Sequence, residues 1–183
     1  MIRRRSTGER GSALVETAAV LSLLMVLSIG AFEWGMAFRD WLSVSSATRE
    51  GARVAASAGT VTDADCAILE ATFGSLLSIP DSSIAFVDIY KADTNGEPPA
   101  TFQRYKPFDP DTDEPANLRC ERWYAVNETA YPPANRDNIG AERDWIGVRL
   151  EFTHVWKTGL FWWSDGVTWS DRTVILMEPD PNI

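Results

Sequence analysis

Apolar residues dominate the chain from Ala13 to Phe38, and Thr17 to Phe32 carries no charge. About 20 apolar residues at roughly 1.5 Å each cross a bilayer, so a membrane span is expected over about 14–38. Arg3, Arg4, Arg5 and Arg10 precede it. A basic flank holds its own end in the cytoplasm and sends the downstream chain across. Trp34, Phe38 and Trp41 stand where aromatic side chains anchor at a membrane–water boundary. No proline interrupts Gly11 to Gly59, so the span runs on into an amphipathic second half. There Trp41, Val44, Ala47, Thr48, Gly51, Ala52, Val54 and Ala55 recur at three- and four-residue steps. One helix over 12–59 is predicted. Its small-residue stripe meets a sheet or a second helix, while Arg39, Asp40, Arg49, Glu50 and Arg53 face away. A cleaved secretory signal is the rival reading, but the apolar character continues past Ser28-Ile29-Gly30 without a turn.

The pattern then shortens. Thr62 or Asp63 can cap a helix from Ala64 to Leu77, with Ile68, Leu69, Phe73, Leu76 and Leu77 as its apolar face and Pro80 as its stop. Ile84 to Lys91 alternates as a strand, followed by the turn Asp93-Thr94-Asn95-Gly96. Residues 97–118 are rich in proline and aspartate and read as a long surface loop. Arg119 to Asn127 reads as a short strand or helix, with Trp123, Tyr124 and Val126 packed. Trp145 to Lys157 is the clearest strand: Ile146, Val148, Leu150, Phe152 and His154 share one face, expected to meet the helix. Thr158 to Ser170 is read as a connection and Asp171 to Glu178 as the last strand. In that connection Phe161, Trp162 and Trp163 either tuck under the core or form an aromatic patch that contacts a partner or a membrane interface.

Charge is divided along the chain. The net charge is −9, and residues 1–11 carry +3, so the remainder carries −12. An acidic translocated part argues against nucleic acid, which needs a basic face, and against an anionic membrane surface as docking partner. Cys66 and Cys120 lie in the part placed outside the cytoplasm. One disulfide is expected there, two buried thiols being the alternative. Two cysteines and one histidine leave zinc a ligand short. Asp109, Asp111 and Asp113 open like a calcium loop, but the sixth and twelfth places hold Glu114 and Cys120 where Gly and Glu are required. A solvated acidic loop is expected instead. No phosphate loop, nucleophile elbow or H-E-x-x-H is present, so neither an enzyme nor a cofactor is expected.

Glu16 is the exception in the apolar run. A carboxylate there costs about 2.5 kcal/mol or more near the bilayer centre and less at its edge, and it marks a functional candidate. A snorkelling Glu favoured by the helix dipole is the plain alternative. Glu33, near the outer end, is either solvated or paired with Arg39.

The stretch Arg10-Gly11-Ser12-Ala13-Leu14-Val15-Glu16 resembles the leader junction of type IV prepilins. Ala47-Thr48-Arg49-Glu50-Gly51-Ala52-Arg53-Val54-Ala55-Ala56 resembles the signature located after the membrane helix in TadE-like proteins, pseudopilins of the tight-adherence (Flp) pilus system. Ile146–Trp156 and Thr173–Pro179 are similar to that family's last strands. Thr17 departs from the family, which more often has an aromatic residue after the Glu.

The resemblance implies an α+β, pilin-like fold: a long N-terminal transmembrane helix packed at its upper half on a small antiparallel sheet, with one further helix. Residues 1–11 would be a cytoplasmic leader and 60–183 an extracytoplasmic domain. It implies a minor pilin or pseudopilin of a bacterial surface pilus, cut between Gly11 and Ser12 by a prepilin peptidase. Glu16 would meet the new amine of Ser12, in its own chain or a neighbour, during processing or docking. Implied partners are other pilins of the system, the prepilin peptidase, an inner-membrane assembly platform and membrane lipid. The alternative is a signal-anchored extracytoplasmic binding or adhesion module with no role in a fibre.

Overall fold

The computed structural model describes residues 8–76, 79–100, 102–140, 142–159 and 165–179. Helix α1 spans Gly8–Ala58 and α2 spans Ala64–Gly74. The strands are β1 (Ile84–Lys91), β2 (Gln103–Pro107), β3 (Leu118–Arg119), β4 (Trp123–Asn127), β5 (Trp145–His154) and β6 (Val167–Leu176). They form one antiparallel sheet in the order β3-β4-β2-β1-β5-β6. This is the expected α+β arrangement of a long N-terminal helix, a small antiparallel sheet and one further helix.

The upper half of α1 packs on β5 and β6, and α2 packs beside it on α1. Along α1 the buried line is Glu33, Ala37, Asp40, Val44, Ala47, Gly51 and Ala55. Those spacings of three and four keep one face of the helix on the sheet. Contacts ascend in order. Glu33 meets Lys157 and Thr158, Asp40 meets His154, and Thr48 meets Asp171 and Thr173. Higher still, the Ala56 carbonyl accepts the Glu178 N–H at 2.9 Å. α1 therefore climbs beside β6 in the same sense and against β5. Gly51 is where the two helices close: a Cβ there would stand 2.1 Å from Thr72 Oγ1.

Val87, Ile89, Ile146, Val148, Leu150 and Phe152 project from the sheet into a core shared with Val44, Ala52, Ile68, Leu69 and Trp123. A register shift between Ile84 and Phe86 brings Ile84 into that core too, although strict alternation puts it opposite Val87. The other face carries a charged layer. Asp88 is fully buried between Arg104 and Arg149. The Arg104 guanidinium lies 3.5 Å from the centre of the Phe86 ring.

Several expectations are corrected. Asp40 turns inward to His154. Residues 103–107 form a central strand inside the stretch read as loop; its buried positions are Gln103 and Tyr105, whose polarity hides the alternation. β6 starts at Val167, within the stretch read as connection, and pairs with β5 without interruption from His154↔Val167 to Trp145↔Leu176. In β4 it is Ala125 that faces the core and Val126 that is exposed. α2 stops at Gly74, well before Pro80, because glycine weakens the helix and Ser75 then caps it onto the Phe73 carbonyl. α1 begins at Gly8, inside the stretch read as leader. Leu77 lies outside the described residues.

Candidate functional site

Two regions bear on function: the lower half of α1, and the seam where the head grips it. In the lower half Leu14, Val15, Val20, Leu21, Leu23, Leu24, Met25, Val26, Leu27 and Phe32 are each at least half exposed. Burying such side chains yields about 1.5–3 kcal/mol apiece, so this surface is built to be covered. The helix is long and apolar enough to cross a membrane. Its hydroxyls are already bonded within it. Thr17 donates to the Ala13 carbonyl at 2.7 Å, Ser22 to Ala18 at 2.9 Å and Ser28 to Leu24 at 2.8 Å. Lipid offers no partners, so such internal bonds remove the cost of these polar groups.

Gly11 and Ser12 are helical and exposed, and a Cβ at Gly11 would meet nothing within 4 Å. Glu16 is exposed one turn above, and no ion pair engages it among the described residues. Among the described residues, a single copy therefore gives Glu16 no positive partner. A Ser12 amine would come only from a cut after Gly11.

At the seam the head holds α1 through polar contacts. Glu33 is fully buried and does not pair with Arg39. Its carboxylate accepts the Lys157 N–H at 3.0 Å, the Thr158 hydroxyl at 2.6 Å and the Thr158 N–H. Asp40 Oδ2 lies 2.8 Å from His154 Nδ1. The Trp156 ring stands edge-on to His154, and the Trp169 ring stacks with it. Higher up, Thr48 donates to Asp171 Oδ2 at 2.7 Å. Neither the Glu33 nor the Asp40 contact was expected. The signal was available: Glu33 and Asp40 fall in helical register with Ala37, Val44 and Ala47, which places both on the packed face.

Cys66 of α2 is bonded to Cys120, which lies just after β3, with the Cα atoms 5.4 Å apart. Beside this bond Asp65 Oδ2 accepts Gln103 Nε2 at 3.0 Å and the Tyr105 hydroxyl at 2.9 Å, and Arg136 pairs with Asp65 Oδ1. Burial, with the Asp65 carboxylate alongside, pushes the Tyr105 phenol above its ordinary range. In the Asp109–Asp113 loop the Asp109 and Asp113 carboxylates are engaged by the protein itself. Asp109 accepts the Asp111 N–H at 3.0 Å, and Asp113 pairs with Lys106 at 2.6 Å. Among the described residues no group of three metal-ligating side chains is assembled. Phe161, Trp162 and Trp163 lie outside the described residues.

Residues 11–53 match the family model described as TadE-like protein. The match contains Gly11, Ser12 and Glu16 and most of the Ala47–Ala56 signature, so the resemblance stands. It does not reach the C-terminal strands. No curated protein and no solved structure matches the chain.

Proposed function

We propose that this chain, TadE-like through its N-terminal helix, is a membrane-anchored pseudopilin or minor pilin that takes part in assembling a tight-adherence pilus. The observation that carries the proposal is the division of α1. The family match spans a lower half that is exposed and apolar, with Glu16 near its start, and an upper half gripped by the head. Such a helix leaves lipid only if other helices replace the lipid around it. In the precursor the Arg-rich leader keeps the N-terminus cytoplasmic and the head lies outside. A prepilin peptidase cuts after Gly11 and frees the Ser12 amine about one helical turn below Glu16. The carboxylate then meets that amine, in its own chain or in a neighbour alongside, at the low-dielectric edge of the bilayer where an unpaired charge is costly. In this role the chain works by assembly and not by catalysis. Its partners are other pilins of the system, the peptidase and the inner-membrane platform.

Mass spectrometry of the chain from its host tests the cut: a mature form beginning at Ser12 is expected, and an intact N-terminus at Met1 removes it. Pilus counts for Glu16→Gln test docking: a severe loss is expected. Wild-type pili with that variant favour the tethered binding module.

A further inference from the structure

Glu33 ties a specific level of the head to a specific level of the helix. The backbone at Lys157 and Thr158 is bonded to it, so the foot of the β5–β6 connection sits at helix position 33. Below it the largely exposed run Ser12–Phe32, whose one charged residue is Glu16, is about 31 Å long at 1.5 Å per residue. That equals the roughly 30 Å hydrocarbon core of a bilayer. With Ser12 set at the inner boundary, the outer hydrocarbon boundary falls at Phe32 and not at Phe38, and the foot of the head lies among the headgroups.

The surface at this level suits that place. Trp34 and Phe38 are 54% and 58% exposed, and Val155 is 49% exposed. Trp34, Phe38 and Trp41 on one flank of α1 join Trp169 of β6 around an open hollow of about 440 Å³. Aromatic rings of this kind settle at the headgroup level. Val20, Leu27 and Trp34, all at least half exposed, follow at seven-residue steps that lead to Trp41, so the hollow lies in line with the apolar flank below it. The charges obey the same logic. The acids Glu33 and Asp40 are turned inward, and the Glu33 carboxylate satisfies two backbone donors where water is scarce. Arg39, Lys157 and Asp165 remain exposed, and the Arg39 guanidinium pairs with Asp40 Oδ1 at 3.1 Å.

We infer that the head is seated on the outer leaflet, with the Trp34/Phe38/Trp41/Trp169 hollow filled by phospholipid. The helix leans toward this flank so that Val155 and Trp169 enter the headgroup layer. Apolar contact drives the seating, so zwitterionic lipid suffices. The inference rests on the proposed membrane anchoring and adds a lipid contact for the folded head.

The full chain in phosphatidylcholine vesicles provides the test. Val155→Cys and, separately, Ser57→Cys are labelled with an environment-sensitive fluorophore, the native cysteines being bonded to each other. Ser57 lies about 37 Å above Phe32 along the helix. Headgroup and shallow-chain nitroxide lipids are expected to quench the 155 probe at least threefold more than the 57 probe, with a blue-shifted emission. Phe38→Gln combined with Trp41→Gln should reduce that difference at unchanged far-ultraviolet circular dichroism. Equal quenching at both positions overturns the seating. So does a blue shift at 155 without nitroxide quenching, which would mean that protein covers the hollow. Alkaline carbonate extraction of the same vesicles separates the two levels. A chain released by carbonate defeats the anchoring itself, whereas a retained chain with an unquenched 155 probe defeats only the seating.

Discussion

His154 Nδ1 and Asp40 Oδ2 lie 2.8 Å apart across 114 positions of sequence, joining the end of β5 to the middle of α1. The contact closes the seam between the anchor and the head. His154→Ala leaves a buried carboxylate short of a partner, and Asp40→Ala does the same to the ring. Each is expected to cost about 1–3 kcal/mol, and the double variant less than their sum, because the two share one interaction. Thermal unfolding of the four proteins in detergent measures this.

Glu33→Ala removes the acceptor for the Lys157 and Thr158 backbone donors. A loss of about 1–3 kcal/mol is expected, concentrated at the foot of the head. Hydrogen exchange should accelerate at residues 155–159 far more than at β1 or β5, and Glu33→Gln should recover part of the protection.

Gly51→Ala inserts a methyl group 2.1 Å from Thr72 Oγ1, whose hydroxyl is bonded to the Ile68 carbonyl. The two helices cannot close without shifting, and a cost of about 1–3 kcal/mol is expected. Thr72→Ser retains the hydroxyl, and Thr72→Ala with Gly51→Ala should regain part of the loss because the methyl group then has room. Chemical denaturation of the variants in detergent reads the difference.

The Cys66–Cys120 bond closes 54 positions of chain. A chain-entropy model gives it about 4 kcal/mol, so Cys66→Ser with Cys120→Ser should lower Tm markedly in non-reducing buffer. The turn it joins is left-handed at two successive residues, Cys120 at φ 52° and Glu121 at φ 65°. Glu121→Gly should therefore raise stability by up to about 1 kcal/mol.

Asp144 sets an acid limit. Burial pushes its carboxyl up, but Lys91, the Asp137 N–H and the Tyr131 hydroxyl outweigh burial and hold it below the usual carboxylate range. A lowered folded-state pKa contributes stability above the unfolded value, near pH 4, and that contribution is lost as pH falls through the folded value. Asp144→Asn is expected to lower Tm at pH 7, and the gap from the parent should narrow below about pH 4.

Local chemistry made much of this molecule legible. The apolar run marks the exposed lower half of α1, and β5 announces itself because its buried positions are Ile146, Val148, Leu150 and Phe152. The pattern fails in two ways: Gln103 and Tyr105 are polar yet buried and conceal β2 within a proline-rich stretch, and the first half of β6 holds no fully buried position, with Thr168 and Ser170 exposed and Asp171 half-buried. These residues satisfy their polar groups through partners distant in the chain, such as Asp65 for Tyr105, Thr153 for Thr168 and Thr48 for Asp171.

Amino-acid order alone determined that the N-terminal helix is apolar below and amphipathic above, since periodicity and hydropathy are properties of neighbouring residues. Tertiary structure alone decided the fate of the charges along it. Glu33 and Asp40 read as surface acids until the chain more than 110 residues later folds back and supplies two amide donors and an imidazole. Burial of a charge depends on partners that the local sequence does not contain.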